Sequence, residues 1–160
     1  MSKSVFEIEG FGKLQAKIKQ LPDKVKKREM LKVLRKVTKP TIDAARQQAP
    51  VGDKVHKRYS RRDGSVLGTY NPGNLKKSIG NITGRRGFAK TNAVIYVGPR
   101  SKGRKYDGYY GAMVHGGTKF QKANKYMDRA YNQTKGKVTK DAEEKVAKAI
   151  QKQIDKLSNV

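Results

Sequence analysis

The sequence predicts an α+β fold: a small antiparallel β-sheet packed against a long N-terminal helix and a C-terminal amphipathic helix, with long basic loops. Apolar residues recur every three or four positions in residues 10–49 and again in 123–157, which is the helical period. Between them, a β-branched run at 93–97 and several Gly, Pro and Asn turn signals indicate strands. We expect a single domain over residues 1–160, because a chain of this length fits one core.

The N-terminal helical region, residues 10–49, contains two prolines: a second helix could start at Pro22, and Pro40 should interrupt the region further along. Its apolar stripe runs from Leu14 to Val37, with lysines on the opposite face. Pro40 has no amide hydrogen to donate and its ring clashes with the preceding turn, so we expect a kink or break near Lys36. Ala49–Pro50 should end the region. We interpret the stripe as packed on the sheet rather than on a membrane, because a membrane-surface helix would carry larger apolar residues without interruption.

Residues 51–73 are rich in glycine, serine, tyrosine and basic residues, and we interpret them as a long basic loop. Asp63–Gly64 predicts a turn, and a hairpin through Val66 and Leu67 is the alternative. Basic residues beside tyrosines can bind phosphates and stack on bases. Equally, they can become ordered against a neighbouring subunit.

The β region, residues 74–118, follows a turn at Gly73. Residues 93–99 are the strongest strand signal in the chain, and Gly98–Pro99 should end that strand with a turn. The run Gly84-Arg85-Arg86-Gly87 predicts a tight basic hairpin ahead of it.

Residues 109–118 predict a last strand that ends in a tight turn. Glycine adopts positive φ without steric cost, so we expect Gly116 or Gly117 to do so. The Thr118 hydroxyl should hydrogen-bond the turned backbone. His115 could act as a general base beside this turn, but the sequence offers it no partner, and a structural role is the preferred interpretation.

The C-terminal region, residues 123–157, should be helical. Residues 126–131 predict a short helix, and beyond it apolar residues recur nearly every fourth position. We expect this second stripe to pack on the strand at 94–97. Its members are Val138, Ala142, Val146, Ile150, Ile154 and Leu157.

Composition argues against several classes of function. Without cysteine the chain forms neither disulfides nor thiolate metal sites, and two isolated histidines leave little for a metal to bind. The sequence shows no phosphate-binding loop, paired-carboxylate site or nucleophile elbow, so we expect no enzyme activity and no cofactor. No apolar run approaches the ~20 residues that span a bilayer, and the N-terminus lacks the apolar core of a signal peptide. We therefore expect no membrane partner and a cytoplasmic origin.

The net charge is the strongest feature of the composition: 38 Lys and Arg stand against 13 Asp and Glu, which gives +25. Such an excess favours nucleic acid, an anionic surface or an acidic protein as partner. The excess is spread along the chain and is strongest in residues 51–105, which hold 14 basic and 2 acidic side chains. The residues expected to contact subunits, partner proteins or DNA are Arg58, Tyr59, Arg61, Arg62, Arg85, Arg86, Arg100, Lys102, Arg104 and Lys105.

Five short motifs occur in order along the chain. They are Ala-Pro at 49–50, Gly-Asn-Leu-Lys-Lys-Ser-Ile at 73–79, Val-Ile-Tyr-Val-Gly-Pro at 94–99, Tyr-Gly-Ala-Met-Val-His-Gly-Gly-Thr at 110–118 and Tyr-Met-Asp-Arg-Ala at 126–130. This series resembles the neck or tail-completion proteins of tailed phages, a family similar to minor tail protein Z of lambda-like phages. The resemblance covers roughly residues 8–155. In the family pattern, Ala-Pro is followed by Gly-x-Leu-x-x-Ser-Ile, Val-x-x-Gly, Tyr-Ala-x-x-Val-Glu-x-Gly-Thr and Pro-Phe-x-x-Ala.

Three departures from the family pattern stand out. His115 occupies the position of an acidic residue, and Asn124–Lys125 replace a proline. The segment at 52–72 is also longer than the family pattern leads us to expect. These differences bear on the position in the virion and on any role of His115.

The resemblance implies a non-enzymatic virion protein, assembled in the host cytoplasm, that forms a ring at the head–tail connector and joins tail to head. Its partners would be further copies of itself in a hexamer or dodecamer, other connector, tail-terminator or tail-tube proteins, and the phage DNA in the channel. The alternative is a basic nucleic-acid-binding protein, ribosomal-like or nucleoid-associated, for which a large positive charge is typical.

Overall fold

The computed structural model describes residues 23–101 and 106–158, and it confirms the predicted α+β class. Two helices precede a mixed middle region, and one long helix follows it. The first part of the predicted helical region, residues 10–22, lies outside the described residues. In chain order the elements are α1 (Asp23–Val37), α2 (Lys39–Gln48), β1 (His56–Tyr59), β2 (Val66–Tyr70), α3 (Asn74–Ser78), β3 (Ile79–Thr83), α4 (Phe88–Thr91), β4 (Ile95–Pro99), α5 (Gly111–Gly116) and α6 (Tyr126–Ser158).

A single residue, Thr38, separates α1 from α2, so the break predicted near Lys36 is present, two residues further along. Pro40 lies in the first turn of α2, where a missing amide hydrogen costs nothing. The Thr38 hydroxyl lies 2.7 Å from Asn81 Oδ1, which links the break to β3. Ala49 is extended (φ −66°, ψ 129°) before Pro50, and α2 ends where the sequence predicts.

The C-terminal region is one continuous helix of 33 residues, so the predicted division into two helices is wrong. Gly136 lies within α6, in open space, and does not end it. At 1.5 Å per residue the helix is about 50 Å long. Its main neighbours are α1 and α2, so the prediction that its stripe packs mainly on the strand at 94–97 is also wrong. Short two-stranded sheets offer too little surface for a helix of this length, and the helices bury one another instead.

Small residues let α2 and α6 approach closely. Ala45 and Ala130 are each 0 % exposed. The hydroxyls of Thr41 and Thr134 lie 2.8 Å apart in the interior, and the Thr134 hydroxyl donates to the Ala130 carbonyl at 2.8 Å, so both polar groups are satisfied. The core around this contact comprises Ile42, Ala44, Ala45, Ala49, Leu75, Ile79, Val114, Tyr126 and Ala130.

Within the described residues the predicted antiparallel sheet is present as two separate two-stranded sheets. One joins β1 to β2 and the other joins β3 to β4. The second pairs from Ile79 opposite Pro99 to Thr83 opposite Ile95 without interruption. The strand predicted at 93–99 is therefore confirmed over its last five residues.

The turn predicted at Gly98 is wrong. Gly98 lies inside β4, opposite Gly80. Pairing with β3 extends through Pro99, so the chain turns only after that residue. A side chain at Gly80 would collide with the guanidinium of Arg100, and glycine there leaves room for that group.

The connection between β3 and β4 is not the tight hairpin predicted at residues 84–87. It extends over residues 84–94 and contains α4. Lys27 of α1 fixes the connection, because its Nζ donates to the carbonyl oxygens of Ala89 (2.8 Å) and Lys90 (2.6 Å). Arg85 and Arg86 therefore lie on an 11-residue connection that is hydrogen-bonded to α1.

Residues 109–118 contain the short helix α5, and the strand predicted there is wrong. Its buried residues are Gly111 and Val114, three positions apart, as on one face of a helix. A side chain at Gly111 would collide with Pro99, so glycine lets α5 pack against the end of β4. The predicted positive φ is confirmed at Gly117 (82°), whose amide donates to the Met113 carbonyl at 2.8 Å and closes the helix.

The local hydrogen bonding predicted for Thr118 is also confirmed. Its hydroxyl accepts the amides of Phe120 (3.2 Å) and Gln121 (3.1 Å). Gly73 adopts a φ of 77° in the turn before α3, as its position in the sequence indicates. Gly116 is the last residue of α5 and lies in open space.

Candidate functional site

Residues 56–70, named here the basic hairpin, form two strands and a turn in the segment interpreted as a loop, so the hairpin alternative is correct. Every residue of it except Ser60, Gly68 and Tyr70 is exposed. The ladder shifts register between Arg58 and Tyr59. Such a shift increases the local twist of a strand pair.

The turn of the basic hairpin is closed by its own polar groups, as Asp63–Gly64 predicts. The Asp63 carboxylate accepts the amide (3.2 Å) and the hydroxyl (2.8 Å) of Ser65. Hydrogen bonds from Ser60 and Ser65 lower the pKa of that carboxyl. Gly64 supplies the positive φ of 70°. The turn is therefore defined without contacts from the rest of the protein.

An aromatic cluster, named here the hairpin base, joins the basic hairpin to the body. The His56 ring stacks on Tyr70 at 5.0 Å and meets Tyr110 edge-on at 4.9 Å. Tyr109 completes the cluster, 5.1 Å from Tyr70 and 5.4 Å from Tyr110. Aromatic pairs at these separations stabilise a contact by about 0.5–1.5 kcal/mol beyond burial. The start and end of the hairpin are thus held firmly.

Polar contacts orient the rings of the hairpin base. The Tyr70 hydroxyl donates to Asp107 Oδ2 at 3.3 Å. Asn74 donates to the Asp107 carbonyl at 2.6 Å and to the Tyr110 hydroxyl at 3.4 Å. Burial, together with the Asp107 carboxylate, raises the pKa of Tyr70, while Arg58 acts in the opposite direction.

The three arginines of the basic hairpin differ in their surroundings. The Arg58 guanidinium lies 4.3 Å from the centroid of the Tyr109 ring and so belongs to the hairpin base. Arg61 and Arg62 lie at the turn, where both are exposed. Of the three, these two are available to a partner.

Apolar side chains accompany the arginines at the far end of the hairpin. Tyr59, Val66 and Leu67 are 57 %, 52 % and 57 % exposed. We name these three residues, with Arg61 and Arg62, the hairpin tip. Large apolar groups held in solvent on a defined hairpin are typical of an interaction surface.

The remaining residues predicted to make contacts are not brought together. Arg85 and Arg86 are exposed on the connection between β3 and β4. The Arg100 side chain is half-buried, and its Nε donates to the Ser78 carbonyl at 3.0 Å. Lys102, Arg104 and Lys105 lie outside the described residues.

His115 has a partner that the sequence did not reveal. Its Nε2 lies 3.4 Å from Asp128 Oδ1, and its ring meets Tyr126 edge-on at 5.6 Å. Nδ1 is buried without a hydrogen-bond partner among the described residues. The ring therefore links α5 to α6.

Sequence reasoning did not identify Tyr70, Asn74, Asp107 and Tyr110 as one unit. They come from two stretches of the chain, residues 70–74 and 107–110, and only the fold brings these stretches together. The weak signal was the clustering of tyrosines at the ends of both basic segments. Within residues 23–101 and 106–158, no group of three His, Cys, Asp or Glu is placed to hold a metal ion, and no helix is long and apolar enough to cross a membrane.

Comparison of the chain with protein-family models, with curated proteins and with solved structures finds no match. The resemblance to phage tail-completion proteins therefore rests on the order of its short motifs.

Proposed function

We propose that this protein is a ring-forming structural subunit of a tailed phage, a neck or tail-completion protein that joins tail to head at the connector. It performs no catalysis and needs no cofactor. The basic hairpin is the arm that reaches the next subunit or an adjoining connector protein. The order of the sequence motifs supports the family, and the geometry of the basic hairpin supports the role.

The observation that carries the proposal is the contrast between the two ends of the basic hairpin. Its base is fixed by four aromatic rings and the Tyr70–Asp107 hydrogen bond. Its tip exposes three large apolar residues beside two arginines. Holding such a tip away from the core gains nothing in an isolated chain, whereas burial at an interface would contribute about 1.5–3 kcal/mol per side chain.

Tip substitutions should separate assembly from folding. The variant Tyr59→Ser, Val66→Ser, Leu67→Ser should lose the ring in light scattering and electron microscopy while the monomer melts within a few degrees of the parent. A matched control is Tyr131→Ser, because Tyr131 is 61 % exposed on α6. Rings that survive the triple substitution, or that the control removes equally, would contradict the role of the tip.

A phage role also predicts a phenotype. Replacing Arg61 and Arg62 with Ser in the phage should leave unjoined heads and tails in the lysate, countable by electron microscopy. Normal joining would show that the charge of the tip is dispensable.

Binding to nucleic acid is the second candidate, and one observation favours it. Residues 64–106 contain nine Lys and Arg and no Asp or Glu. Arg85, Arg86 and Lys90 are exposed within that stretch. Clustered basic side chains bind phosphates and release counterions, which makes the affinity strongly dependent on salt.

Filter binding of a duplex and a single strand at ~50 and ~200 mM salt separates the two candidates. For a ring subunit we expect weak binding that is lost at the higher salt. Tight binding that persists there, and that falls when Arg85 and Arg86 become Ser, would favour the nucleic-acid-binding function.

A further inference from the structure

The sheet formed by β3 and β4 has one face against the helices and one face with exposed side chains. On the inner side, Ile79 is buried in the core and Asn81 Oδ1 lies 2.7 Å from the Thr38 hydroxyl, between α1 and α2. Successive side chains of a strand point to opposite faces. Gly80 and Ile82 therefore lie on the outer face of the sheet.

Tyr96 and Ile82 form an exposed pair on this outer face. The two residues stand directly opposite each other in the ladder, so their side chains share the face. Tyr96 is 57 % exposed and Ile82 is 37 % exposed. A Cβ at Gly84 would lie 3.3 Å from Tyr96 Cε2, so the ring rests against the backbone just after β3. The fold thus presents an aromatic ring to solvent in a defined position.

Arginines lie on both sides of this pair along β3. Arg85 and Arg86 follow the strand almost directly and are exposed. The half-buried Arg100 side chain lies over Gly80, because a Cβ at that glycine would be 2.8 Å from Arg100 Cζ. Residues 64–106 contain no Asp or Glu to neutralise these cations. We name the five side chains of this surface the sheet platform: Ile82, Arg85, Arg86, Tyr96 and Arg100.

We propose that the sheet platform binds single-stranded nucleic acid, with a base stacked on Tyr96 and the adjoining phosphates held by the arginines. The bases of a single strand expose their π-faces, whereas a duplex offers only base edges in its grooves. An aromatic ring between guanidinium groups matches the alternation of bases and phosphates along a strand. The platform is present in each single chain, so this proposal goes beyond the ring proposal and does not depend on it.

A protein is the competing partner, because exposed apolar residues also mark protein interfaces. A second copy of this chain carries the same charge of +25, and like charges repel at close range. Stable protein interfaces bury about 800 Å² on each partner around an apolar centre. Two apolar side chains between arginines make a smaller and more strongly charged surface, which a nucleic-acid strand fits better.

Fluorescence anisotropy of labelled strands of ~20 nucleotides, at ~50 mM salt with full-length protein, tests the proposal. Oligo-dT and oligo-rU are measured in parallel with a duplex of the same length. Tyr96→Ser should weaken single-strand binding at least ~5-fold, because it removes the stacked ring, and should change duplex binding less than ~2-fold. Tyr96→Phe keeps the ring and should bind like the parent. Tyr131→Ser removes a similarly exposed tyrosine from α6 and is the control.

Dependence on Tyr96 for either strand supports the proposal, and the strand that binds more tightly identifies the ligand as DNA or RNA. The proposal is overturned if the parent binds neither strand, or if Tyr96→Ser weakens single-strand and duplex binding equally. If that variant binds both strands normally but changes the oligomeric state in light scattering, the platform is a protein interface and the proposal is wrong. Salt dependence separates the two candidate functions, whereas dependence on Tyr96 tests this site alone.

The arginines are tested by removing two charges at once. Arg85→Gln with Arg86→Gln should weaken binding and reduce the slope of log affinity against log salt by ~1–2. Lys135→Gln with Lys137→Gln removes the same charge from exposed positions of α6 and is the matched control. Equal losses in the two double variants would mean that binding follows net charge, and they would overturn the assignment of phosphates to these arginines.

A tryptophan can report the stacking directly, because the chain has none of its own. The emission of Tyr96→Trp should be quenched when oligo-dT or oligo-rU is added, whereas that of Tyr131→Trp should not change. Unquenched emission at position 96 despite binding, or equal quenching at both positions, overturns the proposal.

Discussion

Gly117 and its neighbour Gly116 differ in what they tolerate, although they stand side by side at the end of α5. Gly117 has a φ of 82°, and a Cβ there would lie 2.8 Å from the Ala123 backbone nitrogen. Nothing lies within 4 Å of a Cβ at Gly116. Only Gly117 is therefore required by the backbone conformation.

Replacing Gly117 with Val should cost about 3 kcal/mol in the free energy of unfolding, because strain and a backbone collision add. Gly116→Ala is the matched control and should change stability by less than ~0.5 kcal/mol. Urea denaturation of both variants measures the difference. Similar losses in both would mean that the turn does not depend on positive φ.

Tyr126 makes stability depend on alkaline pH. The side chain is 0 % exposed, its hydroxyl lies 3.4 Å from the Gly111 carbonyl, and burial raises its pKa from 10.0 to about 12. The raised pKa means that the unfolded chain loses this proton first. Its contribution is therefore complete below pH 10 and is lost as pH rises towards 12.

Between pH 9 and pH 11 the free energy of unfolding should fall less in Tyr126→Phe than in the parent. The difference between the two decreases should reach ~1 kcal/mol. The free energy of unfolding at each pH measures this slope, and Tyr131→Phe, at an exposed position, is the control. If the free energy of unfolding changes with pH equally in Tyr126→Phe and in the parent, burial does not raise the pKa of this phenol.

At the scale of elements, α6 is tightly packed at one position and open at another. Gly136→Ala should stabilise the protein by about 0.5–1 kcal/mol, since alanine favours the helix and nothing obstructs its Cβ. Ala130→Leu should destabilise it by about 2 kcal/mol, because the site against α2 has no room. Thermal melting of the two variants should shift in opposite directions. A stabilising Ala130→Leu would mean that α2 and α6 do not meet closely.

The basic hairpin should respond differently at its two ends. Arg58→Ser removes the cation over Tyr109 and should cost about 0.5–1 kcal/mol. Arg61→Ser and Arg62→Ser each replace an exposed side chain, so the melting temperature should stay within about one degree of the parent's. Equal effects of all three would show that the hairpin base is not a distinct unit.

At the scale of the whole molecule, the net charge of +25 destabilises the folded state through self-repulsion. Raising NaCl from ~0.05 to ~0.5 M shortens the screening length and should raise the melting temperature by several degrees. The variant Arg85→Glu, Arg86→Glu lowers the net charge by four and should show a shallower dependence. A melting temperature that falls with salt would mean that ion pairs outweigh repulsion.

Local rules within the sequence determined much of this protein. The α+β class, the break before Pro40, the end of α2 before Pro50, the strand through Val97 and the turn at Gly117 all follow from periodicity or from the backbone limits of Pro and Gly. Each depends on residues within a few positions, so one sequence contains the information needed.

Only the tertiary structure decided the rest. Residues 111–116 form a helix because Gly111 packs against Pro99 and Leu75, while Val114 lies in the same core as Leu75. The long helix α6 continues through Gly136 because α1 and α2 pack against it. The hairpin base unites Tyr70, Asp107 and Tyr110 across 40 positions, and it separates Arg58 from Arg61 and Arg62. Contacts between distant segments determine these outcomes, and no local pattern in the sequence encodes them.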